Sequence, residues 1–266
     1  MTWEDRALPA DEGHVAMNRE FVIRKEVDLP ASAEAAWDAV TTRAGLTGWF
    51  LPMDVAPEED GWSEAGEILA WEPPTHLTVR SPAPEMSASQ TFDYAFSPRP
   101  DGGCVLHFSH QGFTGRHWEA EYAATRAGWD MYLHTLGQYL AHFAGRSATF
   151  VMAEAPAGSG GEEAWPRLLA ALGLGGPPTA CAPVRVTPDG LPPIDGVADY
   201  VAPEFLGVRT ADAMYRFHNR ARMGMPVAVG HHLFGVAPDG GRLEAGRPTE
   251  GWRGWLAAVL PSVRDR

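Results

Sequence analysis

Two stretches of this chain repeat one another in order and spacing, and a repeat of that kind fixes the plan before any single element is assigned. One begins "FVIRKEVDLPASAEAAWDAV" and the other "FVMAEAPAGSGGEEAWPRLL". Phe21 lies 16 residues before Trp37, and Phe150 lies 15 before Trp165. From Trp37 to Trp129 is 92 residues, and from Trp165 to Trp252 is 87. Both end markers are Gly-Trp within a helical pattern, so the tail "TEGWRGWLAAVLP" reads as a shortened counterpart of "TRAGWDMYLHTLGQYL". The repeat predicts two domains, residues 1–147 and residues 148–266, the second a degenerate copy of the first.

The first copy is the more legible. "REFVIRKEVDLP" alternates Phe21, Ile23 and Val27 with charged neighbours and closes at Pro30, which predicts a strand. Ser32 offers an N-cap to a short helix through Trp37. Four further runs, "GEILAWEPP", "HLTVRS", "SQTFDYAFSP" and "CVLHFSHQGF", are separated by turn formers and predict an antiparallel meander. Phe92, Tyr94 and Phe96 share one face of the third run; Leu106, Phe108 and His110 share one face of the fourth. A long helix covers that face: Tyr122, Arg126, Trp129, Leu133, Leu136, Leu140 and Phe143 recur at steps of four and three. Its 23 residues from Glu121 span about 34 Å. The fold class is therefore α+β, a curved antiparallel sheet wrapped on a long C-terminal helix and followed by a reduced copy. In that copy "PAGSGGEEAW" is too rich in small residues for a good strand end, and "GLGGPPTACAPVRVTPDGLPPIDG" reads as loop. The runs "DYVAPEFLGVRT", "AMYRFHNRARMGM" and "VAVGHHLFGV" read as strands before a closing helix of about 12 residues, too short to persist without tertiary packing.

Composition narrows the function classes. At 266 residues and 45% hydrophobic, the chain can bury real cores. Its formal charge of −13 gives no basic stripe for phosphates or anionic lipid, so nucleic acid and membrane are not expected partners. No apolar run reaches the ~20 residues that span a bilayer, and the start lacks a signal-peptide layout; the expected location is cytoplasmic. Cys104 and Cys181 form no disulfide framework or CxxC motif.

The segments "VDLPASAEAAWDAVTTRAGLTGWF", "GEILAWEPPTHL", "DGGCVLHFSHQGF" and "AGWDMYLHTLGQYL" together resemble the START-like, or Bet v 1-like (SRPBCC), superfamily. Within it they resemble the AHSA1-like group, related to the C-terminal domain of the Hsp90 ATPase activator. The resemblance covers residues 20 to 143 and implies a helix-grip fold with an apolar cavity between sheet and long helix. One departure stands out: only "LPMDVAPEEDGWSEA" separates Phe50 from Gly66, so a strand there is expected to be missing or very short.

The expected ligand wall is Trp49, Phe50, Trp71, Phe92, Tyr94, Phe108, His110, Trp129 and Leu133, since small-molecule sites are mostly apolar with few polar anchors. His110 points toward any cavity, where it orients a ligand, serves as acid or base with Tyr94, or caps the sheet end on a backbone group. His231 and His232 are adjacent on a strand and so face opposite sides; no metal site is expected. Arg216, Arg220 and Arg222 are read as a basic face that pairs with the acidic first half. No GxSxG, P-loop or GxGxxG motif is present, and no cofactor is expected. The resemblance, taken with these features, implies three alternative functions: binding of a small apolar or amphipathic ligand, a cyclase or hydrolase acting on a polyketide-like or aromatic substrate as related folds host, and a chaperone- or stress-related interaction module with a protein partner or as a homodimer.

Overall fold

The computed structural model of the chain describes residues 19–81, 89–114, 118–235 and 246–262. The first strand, β1 (Arg19–Leu29), leads into α1 (Ala33–Thr41), whose N-terminus is capped by the Ser32 hydroxyl accepting the Ala35 N–H at 3.3 Å. Helix α1 buries Ala36, Trp37 and Val40. A second short helix, α2 (Arg43–Thr47), turns directly back on it. That approach requires Gly45, because a Cβ there would meet the Asp38 carbonyl oxygen at 2.3 Å. The turn seats Trp49 at zero exposure, with its indole N–H donating to the Ala39 carbonyl at 2.8 Å.

The meander follows as β2 (Trp62–Ser63), β3 (Gly66–Glu72), β4 (His76–Ser81), β5 (Gln90–Pro98) and β6 (Cys104–Thr114). The expected short strand is β2, at two residues. These strands and β1 form one antiparallel sheet in the order β1-β6-β5-β4-β3-β2, with the long helix α3 (Trp118–His142) packed on it. Trp129, Leu133, Leu136, Leu140 and Phe143 are buried in this core; Tyr122 is half-buried against it, and Arg126 of the expected stripe is exposed.

The second half runs β7 (Thr149–Glu154), α4 (Ala164–Ala171), β8 (Pro183–Val186), β9 (Ile194–Ala202), β10 (Phe205–Arg209), β11 (Ala213–His218), β12 (Ala228–Leu233) and α5 (Gly246–Val259). Its sheet has the order β7-β12-β11-β10-β9-β8, the same path as the first. Among the described residues the copy is thus reduced in its helices, 14 residues in α5 against 25 in α3, and not in its strand number. The region read as loop contains β8, four residues whose Val186 is fully buried and which pair with β9. So brief an alternation carries no periodic signal.

The register of the repeat also needs correction. Phe21 faces the first core, 5.0 Å from the His110 ring, whereas Phe150 faces away from α5 and packs on His232 at 5.2 Å. The equivalent residues are Ile23 and Val151, each buried, each 14 before its helix tryptophan, and paired with His110 and His231 respectively. Matching Phe21 to Phe150 slips the strand by one residue and exchanges its faces.

Helix α3 is buried on two sides. Opposite its apolar stripe, Thr135 accepts from Arg216 Nε at 2.9 Å, Gln138 accepts from Arg209 at 2.9 Å, and His134 lies 3.6 Å from Asp199. At its C-terminal end Phe143 stacks on Phe234 at 4.1 Å, and Arg146 donates to the carbonyls of Ala211 and Phe234. The layers are therefore first sheet, α3, second sheet and α5. The expected basic face does not form. Arg216 is buried against Asp199, Arg220 pairs with Glu154, and Arg222 pairs with Glu204, all partners within the second half. What Arg216 offers the first half is one hydrogen bond, to Thr135.

Candidate functional site

The helix-facing side of β5 and β6 presents Phe92, Tyr94, Phe108 and His110 to the middle of α3. Trp129 reaches down from α3 and its ring sits 4.3 Å from Phe108. Phe50, delivered by the chain leaving α2, stacks on Trp129 at 5.9 Å and meets Tyr132 edge-on at 4.9 Å. Phe92 stacks on His110 at 4.4 Å, and Tyr94 lies 5.1 Å from Phe108. This is a continuous aromatic surface with no charged side chain in it.

His110 is held by two side chains and not by the backbone. Its Nδ1 accepts the Trp129 indole N–H at 2.9 Å, and its Nε2 lies 2.7 Å from Gln90 Oε1. Indole N–H is a donor only, so Nδ1 carries no proton and Nε2 donates to Gln90. Burial lowers the His110 pKa to about 4, so the ring is neutral near pH 7. Both nitrogens are engaged, which leaves neither free to take a proton from a substrate without breaking a bond.

Tyr94 combines two properties. Burial pushes its hydroxyl pKa well up, yet the residue keeps accessible surface, and the hydroxyl has no hydrogen-bond partner among the described residues. Phe50 and Phe92 are likewise half-buried, while Trp49, Phe108, Trp129 and Leu133 are buried.

The expected wall therefore divides. Phe50, Phe92, Tyr94, Phe108, His110 and Trp129 are brought together. Trp71 instead packs edge-on against Trp37 at 5.0 Å, and Trp49 lies behind Phe50 with its N–H spent on Ala39. Leu133 borders a different feature, an open cleft of about 620 Å³ beside α3. The charges of that cleft are internally paired, Arg99 with Asp28 and Asp101. Sequence reasoning missed Phe21 and Gln90, which complete the surroundings of His110. Their signal was Gly112: a Cβ at that position would lie 3.1 Å from both side chains, so its absence makes room for them.

Two other constellations resemble chemical sites without their geometry. On the outer face of the first sheet, Asp93 Oδ2 is 2.8 Å from His76 Nε2 and accepts from Thr78 at 2.7 Å. The hydroxyl thus donates to the carboxylate, an arrangement that activates no nucleophile. His231 and His232 face opposite sides as expected, the first 4.6 Å from Trp252 and the second bonded to the Thr47 carbonyl at 2.8 Å.

Residues 30–141 match the family model described as Activator of Hsp90 ATPase homolog 1-like protein. Among solved structures, MLL2253 from Mesorhizobium loti is 20% identical, covering 46% of this chain and 98% of its own, with a TM-score of 0.40. DynU16, from the dynemicin biosynthetic locus, is 17% identical over 90% of this chain and 97% of its own, with a TM-score of 0.36. The Aha1 dimer from Colwellia psychrerythraea is 16% identical over 45% and 96%, with a TM-score of 0.36. No curated protein matches the chain. Among the described residues no helix is long and apolar enough to cross a membrane.

Proposed function

Residues 30–141 belong to the Hsp90 ATPase activator homologue 1-like (AHSA1-like) family, and on that premise we propose that the chain binds a small apolar or amphipathic molecule between the first sheet and α3. The observation that carries this reading is Tyr94: an aromatic side chain in mid-sheet that keeps accessible surface while its unpartnered hydroxyl lies deep. Phe50, Phe92 and Trp129 supply the apolar wall, and Tyr94 supplies one hydrogen bond to a ligand oxygen. His110 fixes the Trp129 ring through Nδ1. The ligand is uncharged where it meets this wall, because among the described residues no ion partner stands there to offset the desolvation of a charge.

The reading places the site in a unit of residues 1–147, with residues 148–266 as a second unit backing α3, and it places the protein in the cytoplasm. Cyclase or hydrolase chemistry needs a base, and His110, with both nitrogens bonded and its pKa near 4, is poorly suited to be one. Native mass spectrometry of freshly purified protein, followed by denaturing extraction, tests the proposal. A defined compound released on denaturation is the expected result. A clean apo mass, together with no thermal stabilisation by a panel of neutral aromatic compounds, would overturn it in favour of a protein-interaction role.

A further inference from the structure

The aromatic–histidine–tryptophan group of the first half recurs in the second. Phe92 on β5, His110 on β6 and Trp129 on α3 have their counterparts in Tyr215 on β11, His231 on β12 and Trp252 on α5. In the first half the ring separations are 4.4 Å from Phe92 to His110 and 5.9 Å from His110 to Trp129. In the second they are 5.0 Å from Tyr215 to His231 and 4.6 Å from His231 to Trp252. Both histidines meet their tryptophan edge-on, at 76° and 72°.

The hydrogen bonding differs between the two copies. His110 has both nitrogens bonded to protein side chains. His231 accepts the Arg216 backbone N–H on Nδ1 at 3.0 Å, which puts its proton on Nε2. That Nε2–H is buried and has no hydrogen-bond partner, in a side chain with zero exposure. A buried donor left unpaired costs about 1–3 kcal/mol, so a native fold retains one where something else accepts it. The Tyr215 hydroxyl also has no partner among the described residues, and Tyr215, 5.0 Å from the His231 ring, is itself only half-buried at the margin of this core. Arg216 points its guanidinium to the opposite face, neutralised by Asp199.

We propose that the second half carries its own ligand site, in which His231 Nε2–H donates to the carbonyl or hydroxyl oxygen of a small uncharged apolar molecule held against Tyr215, Phe217 and Trp252. The ligand is uncharged because the ring facing it is neutral and the Arg216 cation is paired with Asp199 on the other side of the sheet.

The test uses the full chain with ¹⁵N-labelled histidine, observing imidazole correlations at pH 7 during titration with cyclohexanone and, separately, with cyclohexane. The expected result is a saturable shift of the His231 Nε2–H signal with cyclohexanone and none with cyclohexane, which lacks the acceptor. Silence at His231 with both probes overturns the proposal, as does an equal shift with both. A cross-peak from Nε2–H to a bound water that the ketone leaves unchanged means a buried water only, and also overturns it. The His110 signals report the first-half site in the same spectra, so failure of one site is distinguishable from failure of the other. In His231→Phe, which keeps the ring against Trp252 and removes the donor, cyclohexanone binding by equilibrium dialysis should fall by one site per chain. Because that variant also strands the Arg216 N–H, the titration of the unsubstituted chain is the deciding measurement.

Discussion

The Trp129 indole N–H donates to Nδ1 of His110 across 2.9 Å, tying the long helix to the strand beside β1. Protonating Nδ1 breaks this bond, and burial separately disfavours the charged ring. The folded pKa of about 4 lies below the ordinary imidazole value of 6.5. The unfolded state therefore binds more protons between those values, and stability rises with pH across the window. The contribution is complete above about pH 6.5 and is lost as pH falls toward 4, at roughly 3 kcal/mol. Urea unfolding at pH 4.5 and 7 measures it. His218 and His232, each lowered to about 3, add in the same direction, so His110→Asn is expected to flatten the pH dependence in part and not wholly.

Tyr94→Phe separates binding from folding. The hydroxyl makes no hydrogen bond within the described residues, so removing it is expected to change stability by less than about 0.5 kcal/mol. Ligand binding, by contrast, loses a hydrogen bond and weakens about tenfold. Thermal denaturation with and without the extracted ligand reads both. A ligand at one hundred times its dissociation constant stabilises by about 2.7 kcal/mol, and the variant is expected to show about half of that at the same concentration.

Much of the first copy was legible because its signals are periodic and local. Alternation on β5 and β6 placed Phe92, Tyr94, Phe108 and His110 on one face, and the steps of four and three placed Trp129 and Leu133 opposite them. What was not legible lies where a polar residue is buried by the other half of the chain. Thr135, Gln138 and His134 read as the solvated side of an amphipathic helix, yet they face the second sheet, because a helix packed on two sides need not be apolar on both when the polar groups find partners. The slip between Phe21 and Phe150 has a similar origin. β7 carries Phe150 and Met152 on one face and Val151 and Ala153 on the other, so both faces are apolar and the alternation does not say which one packs on α5.

The turn between α1 and α2 gives a steric prediction. Gly45→Ala places a Cβ 2.3 Å from the Asp38 carbonyl and 2.6 Å from Ala39 Cα, both backbone atoms that cannot move aside. The variant is expected to lose at least about 2 kcal/mol. Trp49 and Phe50 hang from this turn, so intrinsic tryptophan fluorescence is expected to shift to longer wavelength alongside the lower urea midpoint.

Arg216 links the halves at 2% exposure, with Nη1 and Nη2 donating to the two oxygens of Asp199 at 3.0 and 2.7 Å and Nε donating to Thr135. The Arg216 charge lowers the Asp199 pKa against the opposing effect of burial. Removing one partner leaves the other as a buried, uncompensated charge, so Arg216→Met or Asp199→Leu alone is expected to cost about 3–5 kcal/mol. Removing both relieves that penalty, and the double variant is expected to be more stable than the sum of the single losses implies. A double-mutant cycle by urea unfolding tests this. If the losses simply added, the pair would contribute nothing through its mutual interaction. Thr135→Val probes the remaining contact: it strands one Arg216 N–H at the α3 surface and is expected to cost about 1–3 kcal/mol while leaving the Asp199 pair intact.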